Sequence, residues 1–163
     1  QRAWVIGESH LHLGKRYKLR CEQGMEEGVC LHVNDLVVRL NPGQEIAPAR
    51  VEALVLRWRH EEAKVVLAQQ LKQCLQHYRF SGFAAPHLRV QLLIKRWGSL
   101  SPQGTMTLHS GLVQAPIACI DYVIYHELCH LVHANHSSEF FELLSEVCPQ
   151  WMARKQLLEA TVR

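Results

Sequence analysis

The stretch "IACIDYVIYHELCHLVHANHSSEF", residues 117–140, decides how the chain is read. Pro116 stands in front of it and is suited to opening a helix, and Val123, Ile124, Leu128 and Leu131 supply an apolar face. The helix is expected to run through Ala134 and to stop near Asn135, a residue that tolerates the left-handed conformation. On such a helix His126 and His130 lie one turn apart on the same side, with Glu127 projecting beside them, which is the H-E-x-x-H arrangement. The chemistry needs every part of it. Neutral imidazoles hold zinc, zinc lowers the pKa of its water toward neutrality, and a carboxylate takes the proton and hands it to the leaving group.

A catalytic zinc takes three protein ligands and keeps one position open, so a third ligand is sought among His133, His136, Glu139 and Glu142. His133 lies seven residues beyond His126, roughly 10 Å along the axis, and three ligands stacked on one helix cannot surround an ion. The chain must turn first. His136 follows the expected turn and has the spacing of the third histidine in H-E-x-x-H-x-x-G-x-x-H, although His133 occupies the glycine position of that pattern. His136 is therefore the favoured third ligand. Glu139 or Glu142 would instead give a His2Glu set, and Glu139 also reads as a helix-start carboxylate complementing the dipole. Against these stands a plainer possibility. In a chain with 11 histidines a short motif can arise by chance, leaving a satisfied polar cluster or a closed structural metal site.

Working outward, "EFFELLSEVC" is a helix capped by Ser137 or Ser138 and stopped by Pro149, and "WMARKQLLEATV" is a last helix. Upstream, "HLRVQLLIKRW" and "TMTLHSGLV" read as two strands joined by a "GSLSPQG" turn. From Ala49 to Phe80 apolar residues recur at threes and fours with no Gly or Pro, predicting one long amphipathic helix with Pro48 in its first turn. Arg57, Arg59, Glu61 and Glu62 read as its solvated, salt-bridged face. Before it, "WVIGESHLHLG", "RYKLRC" and "VCLHVNDLVVRL" are short β pieces separated by glycines, and His10, His12 and His32 read as surface or strand histidines. The order of strands, long helix, hairpin and helices predicts an α+β fold, with an N-terminal β-rich lobe over 1–46 and a hydrolase domain over 47–163, or one continuous domain.

A hydrophobic fraction of 48% against 20% charged residues is that of a globular protein able to bury a core, which excludes a disordered chain. The six cysteines form no C-x-x-C pair, excluding a zinc ribbon and a thioredoxin-like motif, and they read as reduced thiols of a cytoplasmic protein. No leader pattern or membrane-length apolar run is visible in a chain that begins at Gln1. A net charge of +3 argues against a nucleic-acid partner without a localised patch.

"KRWGSLS" (95–101), "DYVIYHELCHLVHANHSSEF" (121–140) and "CPQWMARKQLL" (148–158) together resemble the YgjP-like family of bacterial metal-dependent hydrolases, relatives of the minigluzincin-type and SprT-type zincins. The resemblance covers almost the whole chain, is specific in the third block and is looser in the N-terminal part. It implies a zincin-like fold, a zinc site of His126, His130 and His136, Glu127 as general base, and a cytosolic bacterial protein. Two positions depart from the usual pattern: Leu100 stands where "WGS" is commonly followed by Cys, and His109 where Asn commonly follows the strand leucine.

Three functions are expected to compete. The leading one is a zinc metallopeptidase acting on a peptide or unfolded protein, with the strand ending near His109 offering an edge for an extended substrate. The second is a phosphoanhydride hydrolase acting on a nucleoside triphosphate, with Lys95, Arg96 and Arg89 facing the phosphates. Across these two readings Lys95, Arg96 and His109 are the candidate substrate contacts. The third is a SprT-like DNA-associated protease or a non-catalytic metal-binding module.

Overall fold

The computed structural model describes residues 3–162. Strands β1 (Ser9–His12) and β2 (Lys15–Gln23) form an antiparallel hairpin, as do β3 (Gly28–His32) and β4 (Asp35–Leu40). The two hairpins join through a parallel β2–β4 pair, giving the order β1-β2-β4-β3. The single expected piece "VCLHVNDLVVRL" is thus two strands, folded back at Val33 and Asn34. Leu19, Leu36, Val38 and Leu40 point from this sheet onto Val51, Leu54 and Val55 of the long helix α1 (Pro48–Cys74).

Helix α1 rises for roughly 40 Å at the usual 1.5 Å per residue and belongs to two cores. Its first turns complete the core of the first sheet, while Ala63, Leu67, Leu71 and Cys74 enter the second. The boundary expected after residue 46 therefore falls just ahead of residues that the β lobe packs against. The helix stops at Cys74, short of the expected Phe80. His77 is extended, its Nδ1 accepts a hydrogen bond from the Arg79 N–H at 3.3 Å, and the resulting 3-10 turn Tyr78–Phe80 swings Phe80 into the core.

The second sheet has the order β5-β7-β6: β5 (His87–Gln91) runs parallel to β7 (Thr105–His109), and β6 (Gly98–Leu100) runs antiparallel to it. Residues 98–100, expected as part of a turn, are thus an edge strand. The turn itself tightens to Ser101–Gly104, where the Gly104 N–H donates to Ser101 O at 2.9 Å and Gly104 takes a φ of 83°. Met106 and Leu108 of β7 face helices α2 (Ile117–Cys129), α3 (Ser138–Val147) and α4 (Trp151–Thr161), which close the second core. This is the α+β architecture expected.

The tip of the first hairpin seats the β lobe against this core. Leu13 N–H and Gly14 N–H donate to Val113 O and Gln114 O at 2.7 and 3.0 Å, just ahead of α2. At Gly14, with φ 79°, a Cβ would lie 2.8 Å from Pro116 Cγ, so the close approach needs glycine. Three polar residues are deeper than the sequence suggests. His10 and His12 are buried in β1, with Glu8 at 3.1 Å and Glu62 at 3.7 Å from their respective Nε2 atoms. Arg59, expected on a solvated face, is buried where α1 passes between the lobes.

All six cysteines are free thiols. Burial pushes the Cys74 thiol and the Tyr122 phenol up to about 12. A group whose pKa is raised by folding contributes stability that is complete below its unfolded value and lost as pH climbs toward the folded one. The fold is expected to hold its melting temperature up to about pH 9 and to lose it progressively toward pH 12. Thermal melts across that range check this, with Cys74→Ala and Tyr122→Phe each flattening the alkaline fall. No helix is long and apolar enough to cross a membrane among the described residues.

Candidate metal centre

The site begins at the C-terminal end of α2. The regular helix stops at Cys129, well before the expected Ala134, and His130 is already its C-cap. There the N–H groups of His130, Leu131 and Val132 donate three residues back, to Glu127 O, Leu128 O and Cys129 O, so the last turn tightens into 3-10 geometry. The tightening aims the His133 carbonyl at His130, whose Nδ1 lies 3.0 Å from it. A protonated Nδ1 donates to that carbonyl and leaves Nε2 facing outward, the tautomer a metal ligand needs. His133 therefore contributes through its main chain, which its side-chain identity did not suggest.

Beyond the turn, Ser137 caps α3, its Oγ accepting from Phe140 N–H at 3.3 Å. This brings His136 back over α2, with its Nε2 3.0 Å from His126 Nε2. One nitrogen from each of His126, His130 and His136 falls within 4.8 Å of the others, so the three could hold one ion. The donor set fits a divalent metal. Burial, with the neighbouring His130 and His136 adding to it, takes His126 down to about 4, which keeps the ring neutral and able to ligate. His130 is lowered mainly by burial as well.

Neither alternative carboxylate joins the group. Glu139 is exposed, its side chain accepts from Ser138 Oγ at 3.2 Å, and hydrogen bonds at the helix start, the first of them from its own N–H, hold its pKa down. Glu142 is also exposed and outside the cluster. Phe140 was invisible as a site residue. It is fully buried, with its ring centroid 5.0, 4.6 and 4.8 Å from those of His126, His130 and His136, and forms the apolar floor under all three.

Glu127 is buried at the inner end of a cleft between α2 and β6. Burial pushes its carboxyl up to about 7 against the opposing pull of the Arg96 guanidinium, placing it where a general base works at neutral pH. The cleft is open, with a volume of about 620 Å³, and the three histidines line one wall while β6 lines the other. Gly98 is the point of closest approach: a Cβ there would lie 3.0 Å from Glu127 Oε1 and 3.1 Å from Leu108 Cδ2. Gly98→Ala is expected to displace the carboxylate and lower kcat by about 10- to 100-fold, while far-ultraviolet circular dichroism stays unchanged.

Of the candidate substrate contacts, Arg96 lines the cleft. Lys95 does not. With a φ of 64° it lies at a separate cavity of about 200 Å³ that it shares with Leu93, Arg96, Trp97 and His109. His109 packs edge-on against Trp97 at 5.2 Å, and its Nδ1 accepts from Gly111 N–H at 2.8 Å. It thereby caps the 3-10 turn Ser110–Gln114. The strand that ends at His109 is central in its sheet, and the edge facing the cleft is β6.

Two helix-borne histidines with a glutamate between them, a third histidine from the following turn, and a sheet edge across the cleft define the zincin-like class of metallopeptidase folds. The chain belongs to the family described as YgjP-like, metallopeptidase domain, whose model matches residues 1–161. Membership implies a divalent metal and a peptide substrate. Two solved structures are similar over part of the fold. The metallopeptidase zymogen abylysin of Pyrococcus abyssi is 22% identical, covering 56% of this chain and 87% of that one, with a TM-score of 0.48. The metallopeptidase zymogen jannalysin of Methanocaldococcus jannaschii is 17% identical, covering 58% and 93%, with a TM-score of 0.41. No match was found among curated proteins.

Proposed function

We propose that the chain is a zinc metallopeptidase in which His126, His130 and His136 hold the ion and Glu127 is the general base. The observation that carries this reading is the convergence of three imidazole nitrogens within 4.8 Å at a cleft that also buries Glu127. All-nitrogen donors suit zinc better than magnesium or calcium, which take oxygen ligands. When bound, zinc supplies Lewis acidity, polarising a carbonyl and lowering the pKa of a water. The chain's own residues do the rest. Edge strand β6 accepts an extended peptide through main-chain hydrogen bonds. Glu127 takes the proton of the attacking water and passes it to the leaving amide nitrogen, and the Phe140 floor keeps bulk water from beneath the ligands.

A second reading, phosphoanhydride hydrolysis of a nucleoside triphosphate, is favoured by one observation, the Arg96 guanidinium at the cleft. It is weakened by Lys95, which lies at the other cavity. A decisive experiment presents zinc-loaded protein with an unfolded protein and, in parallel, with mixed nucleoside triphosphates. New peptide termini support the proposal. Phosphate or pyrophosphate release without peptide products overturns it.

A further inference from the structure

The outer face of the second sheet carries a polar row that the centre itself does not use. Arg89, Thr107 and Ser99 are register partners on β5, β7 and β6. Since Met106 and Leu108 turn into the core, alternation places Thr105 and Thr107 on the opposite face. There Arg89, Arg96, Ser99, Thr105 and Thr107 line an open groove of about 470 Å³, to which no carboxylate contributes. Neither arginine has a carboxylate within ion-pair distance among the described residues. Arg96 lines both this groove and the metal cleft, so the two meet across β6.

We propose that this groove is a specificity subsite for an acidic side chain of the peptide substrate, close to the scissile bond. The inference rests on the peptidase reading. A peptide strand added to β6 continues the sheet's alternation, so every second side chain falls on the outer face beside Ser99. A carboxylate there accepts charge-assisted hydrogen bonds from the guanidinium groups and neutral ones from the hydroxyls. A lysine at the same position meets like charge. The geometry favours a peptide over a polyphosphate because the two cations stand apart across the face of the sheet, Arg89 on β5 and Arg96 just ahead of β6, and Lys95 is not gathered with them.

The experiment uses zinc-loaded protein and peptide pairs that differ only by Glu against Gln, or Asp against Asn, at each position flanking the cut. The expected result is a kcat/KM about 10- to 100-fold higher for the acidic peptide at one position, the scale of a hydrogen bond to a charged group. That ratio falls toward one in Arg89→Gln and shrinks as salt rises. Binding is read separately, by fluorescence anisotropy of a labelled acidic peptide on Glu127→Gln protein, with Arg89 intact or changed to Gln. Cleavage with no acidic preference overturns the subsite and leaves the peptidase reading standing. Arg89-dependent binding of the acidic peptide without any cleavage supports the subsite while the peptidase reading fails. Arg89-dependent binding of a nucleoside triphosphate but of no peptide overturns both.

Discussion

Glu127→Gln is expected to yield a protein that folds, takes up one equivalent of divalent ion, and turns over about 10²- to 10⁴-fold more slowly, the contribution of a positioned general base. The amide has nearly the shape of the carboxylate and sits where the carboxylate is buried, beside Gly98, so packing is preserved. What is lost is the capacity to accept a proton. The ligands proposed for the ion are the three histidines, whose nitrogens the change does not touch. Stoichiometry by native mass spectrometry and turnover of a quenched peptide therefore separate. If turnover survives the change, Glu127 is not the base; if the ion is lost with it, the glutamate belongs to the ligand set.

Phe140→Ala is expected to cost about 3–5 kcal/mol of stability, as is usual on emptying a fully buried aromatic position. The loss should extend to the metal. Phe140 lies in α3 and touches imidazoles from both sides of the turn, so its ring is what holds His136 against His126 and His130. Removing it leaves the ligands in the sequence and loosens their geometry, and zinc affinity falls by at least about 10-fold, as when a ligand's supporting partner is removed. Chemical denaturation with and without zinc checks both statements. Phe140→Leu, which refills most of the volume, should recover the larger part of the stability.

How much of this was legible in the sequence differs from residue to residue. The pair His126 and His130 with Glu127 is written in helical spacing; that three ligands cannot stack on one helix sends the third beyond the turn, where spacing favoured His136 and left Glu139 and Glu142 open. Ser137 as a cap was also open to reading. The early end of α2 was not, because Leu131 and Val132 continue the apolar run and only the 3-10 bonds at His130–Val132 show the tightening. For the same reason the His133 carbonyl could not be singled out, since any residue supplies one. Strand β6 hid inside "GSLSPQG" because Gly and Ser are turn formers, and what makes Gly98 a strand residue is a distant contact, the nearness of Glu127. Arg59, His10 and His12 look like surface residues by type and are buried by the packing of two lobes on one helix. The arginine groove depends on the parallel β5–β7 pairing, a long-range register with no local signature.

The most direct measurement is cleavage of an unfolded protein by zinc-loaded enzyme in water enriched in oxygen-18, with new peptide ends read by mass spectrometry. Hydrolysis at the three-histidine centre should give fragments carrying one heavy oxygen at each new C-terminus, absent when the ion is chelated and restored when zinc returns. Intact substrate in every arm, from protein shown to carry its ion, would contradict the peptidase reading.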